Sequence, residues 1–271
     1  MSKIQGSSVL ITGAAMGIGK LMALRCAEEG AATLHLWDIN ATVLEATAEE
    51  LRAKGPKVHT AIVDVSSLDS IKAAAENVLA ETGAPDIVIN NAGIVVGKPF
   101  VEHSHEDLER TIKINVLGVM HVARAFMPQM IARGSGHVVN IASAAGMIPV
   151  PKQSAYSPSK WAVLGFSEIL RLELEEIGGN LHVTTVCPSY INTGMFDGVS
   201  APLLTPILDQ HVAANKIIAA IKSNRILLRM PFMVNFIPLL RGILPARGFD
   251  LLAGKVFGVY KSMHEFKGHK A

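Results

Sequence analysis

The fold of this chain is decided by the stretch Val9-Leu10-Ile11-Thr12-Gly13-Ala14-Ala15-Met16-Gly17-Ile18-Gly19. A short apolar run enters a loop with three glycines, and a helical pattern of apolar residues continues from the loop to Gly30. Strand, glycine loop and helix in this order are typical of a dinucleotide site, because glycine lets the backbone approach a pyrophosphate and the helix N-terminus presents amides to its charge. A plain strand-to-helix turn would not need three glycines. The stretch therefore predicts a phosphate cradle built from Gly13, Met16, Gly17, Ile18 and Gly19.

Five more apolar runs follow along the chain, and helical segments separate each run from the next. The predicted strands cover residues 33–37, 58–63, 87–89, 137–141 and 183–186. Strands that alternate with helices indicate parallel βαβ units, and continuous apolar strands indicate a sheet that is covered on both faces. We predict an α/β fold with a doubly wound, Rossmann-type parallel sheet. The whole chain, 1–271, is predicted to be one domain in which residues 194–271 form a helical substrate lid and a basic, apolar C-terminal extension.

Composition narrows the class of protein. With 271 residues, 49% of them hydrophobic, the chain can bury a full core. Its two cysteines, Cys26 and Cys187, provide neither a disulfide framework nor the spacing of metal ligands, which suits a reducing cytosol. Residues 1–6 lack the apolar stretch of a signal peptide. We expect a cytoplasmic protein with no bound metal and no nucleic-acid partner.

Charge is distributed unevenly between the body and the tail of the chain. Residues 1–221 hold 16 Lys and Arg against 21 Asp and Glu, whereas residues 222–271 hold 9 against 2. Within the tail, the segment 225–247 contains an apolar stretch between Arg229 and Arg241 that is far shorter than the ~20 residues of a bilayer span. Such a segment suits peripheral contact with an anionic membrane surface. A subunit interface and a second wall of the substrate pocket are the alternatives.

The second predicted strand ends at a carboxylate. Asp38 lies nineteen positions after Gly19, where an acidic residue can accept hydrogen bonds from both ribose hydroxyls of an adenosine. A 2′-phosphate there would meet a like charge at a cost on the order of several kcal/mol. The neighbours Ile39 and Met16 offer no arginine to relieve that cost. The sequence therefore predicts NAD rather than NADP, with Asp38 and Ile39 beside the adenosine ribose, although Asp38 can also cap the following helix.

A tyrosine and a lysine one helical turn apart carry the predicted chemistry. In Tyr156-Ser157-Pro158-Ser159-Lys160 the two outer residues would share one helix face, and Ser143 precedes Tyr156 by thirteen positions. The pKa of a phenol is about 10 in short peptides, and an ammonium at roughly 4 Å would favour the phenolate by up to about 4 kcal/mol. Ser143 can hold the substrate oxygen against the phenol. Tyr156 is thus predicted to accept the proton in alcohol oxidation and to donate it in ketone reduction.

Together these residues resemble the short-chain dehydrogenase/reductase family over essentially the full length of the chain. The resemblance implies a Rossmann-type, NAD-dependent oxidoreductase that acts on CH–OH groups. It also implies a homodimer or homotetramer, with helices around 104–132 and 154–178 at the interface. The matching segments occur in the family's order and approximate spacing: Thr12 to Gly19, Asp64-Val65, Asn90-Asn91-Ala92-Gly93, Asn115, Ser143, Tyr156 with Lys160, and Pro188 through Thr193.

The resemblance also implies roles for residues that the pattern alone does not explain. In the family, the residues that match Asp64 and Val65 hold the adenine ring, and the segment 90–93 supports the sheet beside the cofactor. Asn115 is expected to position a water that links Lys160 to solvent. The other residues expected at the cofactor are Asn91, Ala92, Gly93, Tyr156, Lys160, Pro188, Ile191 and Thr193, the last of them at the nicotinamide carboxamide.

A narrower resemblance concerns the substrate. Segments 187–196, 229–231 and 262–268 look like the branch of the family that holds retinol dehydrogenases and 17β-hydroxysteroid dehydrogenases. That likeness implies a hydrophobic alcohol or its carbonyl compound, such as a steroid, a retinoid or a long-chain alcohol. The apolar segment after Thr193 would suit a lipid-like substrate, or else it packs the lid against the core. Its apolar residues are Met195, Phe196, Val199, Pro202, Leu203, Leu204, Ile207 and Leu208.

Two other classes of protein share parts of this pattern. Sugar-nucleotide epimerases and dehydratases use a similar Tyr-Lys pair, but they usually have a Gly-x-x-Gly-x-x-Gly loop and a longer C-terminal domain. An NAD-binding redox sensor or lipid-binding scaffold would keep the nucleotide fold without turnover. Such a protein would not need the intact set of Ser143, Tyr156 and Lys160. The pattern therefore favours the dehydrogenase.

Overall fold

Seven strands form the centre of the computed structural model, which describes residues 1–268. They are β1 (Ser8–Thr12), β2 (Thr33–Asp38), β3 (Lys57–Ile62), β4 (Ile87–Asn90), β5 (Ser135–Ile141), β6 (Asn180–Pro188) and β7 (Leu227–Met230). Their order across the sheet is β3-β2-β1-β4-β5-β6-β7, and every neighbouring pair is parallel. The order reverses between β1 and β4, which is the topology of a doubly wound Rossmann-type sheet. The predicted fold class is confirmed.

Helices connect the strands and cover the sheet. They are α1 (Gly17–Glu28), α2 (Ala41–Arg52), α3 (Leu68–Thr82), α4 (His105–Ile112), α5 (Val119–Arg133), α6 (Tyr156–Ile177), α7 (Gln210–Lys222), α8 (Ile237–Ile243) and α9 (Ala246–Asp250). A π-helical segment, Lys113–Gly118, joins α4 to α5, and a second one, Leu251–Val256, follows α9.

Apolar residues alternate between two cores along each strand. Val9 and Ile11 of β1 pack into a core with residues of α1, α2 and α7, whereas Leu10 packs into a core with residues of α3, α5 and α6. All three side chains are fully buried. Apolar residues on both faces of β1 are buried because helices cover both faces of the sheet.

The sequence does not predict β7. Leu227–Met230 pairs with β6 at the edge of the sheet, and Met230 is buried in the core. The four residues 227–230, which precede Pro231, are too few to show a periodicity that separates a strand from an apolar surface segment. The interpretation of 225–247 is therefore corrected: its first part belongs to the sheet, and only the residues after Pro231 remain available for a membrane, a partner or the pocket wall.

The C-terminal extension begins with turns and not with a helix. Residues 194–209 form turns, bends and irregular backbone with one bridge at Leu208. Gly194 and Gly198 have positive φ angles, and Pro202 and Pro206 interrupt the chain. The helices of the extension come later, and α7 packs against α1. The last three residues of the predicted extension, 269–271, lie outside the described residues. Among residues 1–268, no helix combines the length and the apolar character that a bilayer crossing requires.

Candidate active site

A cavity of about 740 Å³ lies at the carboxyl ends of the strands. This is the crevice in which doubly wound sheets bind their ligands. Three of the four predicted catalytic residues line it, and the fourth, Asn115, lies behind the wall with no exposed surface. Every residue predicted at the cofactor also lines it. The lining includes Ser143 together with Gly13, Met16, Gly17, Ile18, Gly19, Asp38, Ile39, Asp64, Val65, Asn91, Ala92, Gly93, Tyr156, Lys160, Pro188, Ile191 and Thr193.

The glycine loop closes the cavity where β1 passes into α1. Gly13 and Gly17 have φ angles of 65° and 56°, a region that residues with a Cβ rarely adopt. A Cβ on Gly19 would overlap the carbonyl oxygen of Gly13, so this position also requires glycine. The side-chain amide of Asn91 donates to the carbonyl oxygens of Thr12 and Gly13, at 3.0 Å each. The side chain of Asn91 thus holds the glycine loop in place. The N-terminus of α1 adjoins the cavity, as an anion-binding site requires.

The residues after β6 lie across the cavity from the glycine loop. A Cβ on Gly17 would lie 3.5 Å from the Cβ of Thr193, so these two segments are in close proximity. Ile191 forms a bridge with Leu208, which anchors the segment to the chain that leads into α7. A ligand in the cavity would therefore lie between the glycine loop and the segment 188–193.

Asp38 ends β2 at the rim of the same cavity. Its Oδ2 atom accepts a hydrogen bond from the backbone N–H of Ala15, and its Oδ1 atom accepts one from the N–H of Asn40, both at 3.0 Å. Each carboxylate oxygen keeps a further lone pair, so hydroxyl donors can still bind it. The neighbouring Ile39 is 67% exposed and lines the cavity as well. The backbone therefore fixes the carboxylate in place without using up its capacity to accept hydrogen bonds.

The expected adenine contacts lie just after β3. Asp64 Oδ1 accepts hydrogen bonds from the N–H and the hydroxyl of Ser66, at 2.8 and 2.7 Å, and Val65 lines the cavity beside it. Arg110 and Ile114 also line the cavity, and the sequence predicts neither. The sequence contains no local signal for them, because a helical residue reaches a cavity only through the packing of its helix.

Tyr156 and Lys160 lie at the start of α6, one turn apart as predicted. The Nζ atom of Lys160 is 5.7 Å from the centre of the Tyr156 ring, and it donates to the carbonyl oxygen of Ile141 at 2.8 Å. Ser143 caps the short turn that follows it, because its Oγ atom accepts a hydrogen bond from the N–H of Ala145 at 3.1 Å. All three functional side chains are buried. The fold thus brings the three groups into one place.

Burial dominates the protonation of these groups. It raises the pKa of the Tyr156 phenol, and the nearby Ser143 hydroxyl only partly offsets that shift. Burial also lowers the pKa of Lys160 to about 8. The net shift of the phenol's pKa is therefore upward, because burial disfavours the charged phenolate. The lowering of this pKa by Lys160 stays a prediction. The protein's own groups hold Tyr156 as a phenol.

Asn115 lies in the π-helical segment between α4 and α5, a distortion that is frequent at functional sites. Its Oδ1 atom accepts from the N–H of Ile94 at 2.9 Å, and its Nδ2 atom donates to Ile94 O at 2.9 Å and to Ser159 Oγ at 3.0 Å. A Cβ on Gly93 would lie 3.2 Å from Asn115 Oδ1 and 3.6 Å from Lys160 Nζ. Gly93 therefore keeps a small space open between Asn115 and Lys160.

The part of the cavity beyond Tyr156 is mostly apolar. The ring of Phe196 stands edge-on to the rings of Tyr156 and Tyr190, with centres 5.7 and 5.1 Å away. The predicted lid contributes only some of its residues, because Leu203 and Leu204 are more than half exposed. Residues of the segment 225–247 form part of the cavity wall, which is one of the alternatives that the sequence leaves open for this segment. The apolar lining consists of Ile148, Val150, Met195, Phe196, Pro202, Val234, Ile237 and Val259.

Known proteins match the chain over nearly all of its length. The profile of the family described as short chain dehydrogenase matches residues 7–203. Epidermal retinol dehydrogenase 2 of Mus musculus is 40% identical over 271 residues, which cover 98% of this chain and 87% of the mouse protein. Estradiol 17-beta-dehydrogenase 11 of Pongo abelii is 38% identical over 255 residues, which cover 93% of this chain and 84% of that protein.

Solved structures of similar proteins share the fold. A short chain dehydrogenase/reductase from Burkholderia phymatum, in complex with NAD, aligns with a TM-score of 0.82 and 28% identity over 89% of this chain and 95% of its own. A metagenomic short-chain oxidoreductase, in complex with NADP, aligns with a TM-score of 0.72 and 28% identity over 85% of this chain and 100% of its own.

The chain belongs to the short chain dehydrogenase family. It is an oxidoreductase that acts on CH–OH groups. The family predicted from the sequence is confirmed, and so is the resemblance to retinol dehydrogenases and 17β-hydroxysteroid dehydrogenases.

Proposed function

We propose that this chain interconverts a hydrophobic alcohol and its carbonyl compound, with NAD as the hydride carrier. The observation that carries the proposal is a single cavity that joins the glycine loop, the set of Ser143, Tyr156 and Lys160, and an apolar wall. A nicotinamide dinucleotide between the glycine loop and the segment 188–193 would supply the hydride acceptor in oxidation and the hydride donor in reduction. The residues present fit such a group, because the three glycines line the cavity where the N-terminus of α1 can face a pyrophosphate.

The protein's own side chains handle the substrate oxygen and the proton. Ser143 Oγ holds the oxygen beside the phenol of Tyr156. In reduction, Tyr156 Oη donates its proton to the carbonyl oxygen as the hydride arrives at carbon. In oxidation, the same oxygen takes the alcohol proton once its own proton has left. Burial keeps the phenol protonated, so the protein alone is prepared for the donating direction.

In the proposed mechanism, that proton leaves Tyr156 by way of Lys160. The pKa of Lys160 is lowered to about 8, so its amine can both hold and release a proton near neutral pH. The space that Gly93 leaves open lies between Lys160 Nζ and Asn115 Oδ1, a donor and an acceptor that suit one water molecule. Asn115 is itself held by Ile94 and Ser159. We assign Asn115 the role of fixing that water.

NAD is proposed over NADP because of the surroundings of Asp38. Both hydrogen bonds to its carboxylate come from neutral backbone N–H groups, so a 2′-phosphate would meet a negative charge that these groups do not compensate. The ribose hydroxyls of NAD would instead donate to the remaining lone pairs of the carboxylate.

A hydrophobic substrate is supported by the apolar lining beyond Tyr156 and by the relatives, which are named as retinol and estradiol dehydrogenases. The polar side chains in this part of the cavity are few and can orient a substrate. They are Gln153, Tyr190 and Thr205.

The test is NADH fluorescence against a panel of steroids, retinoids, aliphatic alcohols and small sugars, with NAD and NADP in parallel. The expected result is turnover of a hydrophobic alcohol, with NAD preferred. Turnover of sugars alone would contradict the substrate class, and preference for NADP would contradict the role of Asp38. Tight NAD binding without turnover on any compound would favour a sensing role.

Peripheral membrane contact is proposed through the residues that follow Pro231. Phe232, Leu239 and Ile243 are 73%, 57% and 70% exposed, in a tail with an excess of positive charge. Ile237, within the same segment, lines the cavity, so a lipid-like substrate could enter from this side. Flotation with anionic liposomes should recover the protein in the lipid fraction, and its absence there would rule out this contact.

A homo-oligomer is proposed through α5 and α6. Ile169 and Leu172 of α6 are 60% and 55% exposed, and Leu117, in the π-helical segment that leads into α5, is 40% exposed. Exposed apolar residues grouped in this way are typical of subunit interfaces. Light scattering should give a mass of two or four chains for the wild type and a lower mass for Ile169→Asp. A wild-type monomer would contradict the proposal.

A further inference from the structure

Arg241 lies beyond the region that the family profile matches, and yet it contacts the turn that follows Ser143. The residue belongs to α8 in the C-terminal extension. Its Nη1 atom donates to the carbonyl oxygen of Met147 at 2.8 Å, and its guanidinium carbon lies 4.5 Å from the centre of the Trp161 ring. A cation and an indole face attract each other at this separation. Arg241 therefore connects the C-terminal extension to α6, which carries Tyr156 and Lys160, and to the turn 144–147 that follows Ser143.

Trp161 also binds the same turn directly. It follows Lys160 directly in α6, and its indole N–H donates to the carbonyl oxygen of Ala145 at 2.8 Å. A Cβ on Gly146 would lie 2.7 Å from the carbonyl oxygen of Lys160, so the turn packs directly against the backbone of the catalytic helix. The carbonyl groups of Ala145 and Met147 are thus both occupied, and the turn cannot rotate without breaking these bonds.

The position of Ser143 depends on this turn. Its Oγ atom accepts from the N–H of Ala145 at 3.1 Å, and its carbonyl oxygen accepts from the N–H of Gly146 at 2.9 Å. The other hydrogen bond of the hydroxyl, to the carbonyl oxygen of Pro188, is long at 3.4 Å. The turn is therefore the main constraint on the hydroxyl, and a displacement of about 1 Å between reacting groups can cost on the order of a hundredfold in rate.

We propose that Arg241 is a positioning residue for the reaction: stacked on Trp161, it fixes residues 143–147 and thereby the Ser143 hydroxyl relative to Tyr156. The proposal rests on the role of Ser143 in the proposed function. Arginine suits this task because its planar guanidinium can stack on a ring and still donate from its edge, whereas a lysine ammonium cannot do both. On this proposal the C-terminal extension completes the active site in addition to covering it.

Steady-state kinetics of Arg241→Gln test the proposal, with the substrate found in the panel and saturating NAD. We expect kcat to fall about ten- to hundredfold, while the Kd for NADH and the Tm stay close to those of the wild type. The matched control is Arg247→Gln, because Arg247 lies in the next helix with a side chain that is 97% exposed. The control should keep full activity. Unchanged kcat in Arg241→Gln, or equal losses in both variants, would overturn the proposal.

Trp161 provides a second, independent variant. Trp161→Phe keeps a ring face for Arg241 and removes the N–H that binds Ala145, so it should lose part of the activity. In the double variant the loss should be smaller than the product of the two single losses, because both residues hold one turn. Losses that multiply independently would contradict the shared role. Arg241→Lys should behave like Arg241→Gln, and wild-type activity in Arg241→Lys would show that charge alone is sufficient and overturn the stacking.

Hydrogen exchange supplies a measurement that does not depend on turnover. The amides of Met147 and Ile148 both donate to the carbonyl oxygen of Ala144, at 2.9 and 3.2 Å, and report on the turn. They should exchange faster in Arg241→Gln and at the wild-type rate in Arg247→Gln. Equal exchange rates in the two variants would contradict the proposal that Arg241 fixes the turn. An inactive wild type would contradict the proposed function and leave this test intact. An active wild type with full activity in Arg241→Gln would contradict the positioning role alone.

Discussion

At the scale of single residues, burial determines the protonation states of Tyr156 and Lys160 before the reaction begins. Burial acts on Tyr156 and Lys160 in opposite directions: it raises the pKa of the phenol and lowers the pKa of the amine to about 8. In each case burial favours the neutral form of the side chain, because the charged form loses its hydration. The spacing of the two residues in the sequence predicts that they meet, but it carries no information on how deeply they are buried. That is why the sequence does not predict the rise in the pKa of the phenol that burial causes.

On the proposed function, the choice between NAD and NADP depends on the carboxylate of Asp38. Asp38→Ser keeps an oxygen for the ribose and removes the charge that would repel a 2′-phosphate, a repulsion on the order of several kcal/mol. We expect kcat/KM to rise with NADP and to fall with NAD. Asp69→Asn, at an exposed position in the first turn of α3, is the control and should leave the ratio of the two values unchanged. An unchanged ratio in Asp38→Ser would contradict the proposed NAD preference.

At the scale of elements, the sequence predicts those with a local signature and misses those that packing creates. The run 33–37 predicts β2, which spans Thr33–Asp38, because its leucines and tryptophan and the carboxylate that ends it mark a strand. By contrast, β7 is defined by its pairing with β6 and not by its own four residues. In the π-helical segment, Asn115 likewise contacts the distant residues Ile94 and Ser159. Neither contact has a signature in the local sequence.

The glycine loop gives a prediction at the same scale. In Gly19→Ala the new Cβ would overlap the carbonyl oxygen of Gly13, so we expect a loss of about 1–3 kcal/mol in the free energy of unfolding and weaker NADH binding. Gly242→Ala in α8 is the matched control, because a Cβ there meets no atom within 4 Å. It should be neutral or stabilising by up to about 1 kcal/mol. Urea unfolding and NADH titration measure both variants, and equal behaviour would contradict the assigned close approach.

At the scale of the whole molecule, two buried histidines within strands of the sheet make the free energy of unfolding depend on pH. His137 of β5 is buried, and its Nε2 atom lies 2.8 Å from Thr184 Oγ1. Burial, with repulsion from His182 on the neighbouring strand, lowers the pKa of His137 to about 3. Burial also lowers the pKa of His35 to about 4. Both residues are therefore neutral in the folded chain, and the unfolded chain binds protons that the folded chain excludes.

The sign of the pH effect follows from these lowered pKa values. The stability that the neutral histidines contribute is fully present above a pH of about 6.5, the pKa of histidine in the unfolded chain. It is lost as the pH falls from there toward 3. For His137 alone, the loss in the free energy of unfolding is about 2 kcal/mol at pH 5. Urea unfolding at pH 7 and pH 5 should show this loss. His137→Gln should show a smaller one, and His211→Gln, at an exposed position of α7, should show the full loss. Identical pH dependence in all three proteins would contradict the assignment.

Contacts between distant parts of the chain account for the rest of what the sequence does not predict. The glycine loop and the set of Ser143, Tyr156 and Lys160 were predictable, because each needs particular residue types at fixed spacing. The contact of Arg241 with Met147 joins positions 94 apart, and no spacing rule relates them. The same holds for Arg110 at the cavity wall.

The most direct test of the central claim, that Tyr156 transfers the proton of an NAD-dependent dehydrogenase, is the turnover rate of Tyr156→Phe measured beside its affinity for NADH. The phenyl ring keeps the packing against Phe196 and removes only the hydroxyl. We expect the rate to fall by about 10²–10⁴-fold or more with NADH affinity preserved. Tyr260→Phe, which removes the hydroxyl that binds Asp250, is the matched control and should remain active. A Tyr156→Phe enzyme that turns over nearly as fast as the wild type would contradict the mechanism.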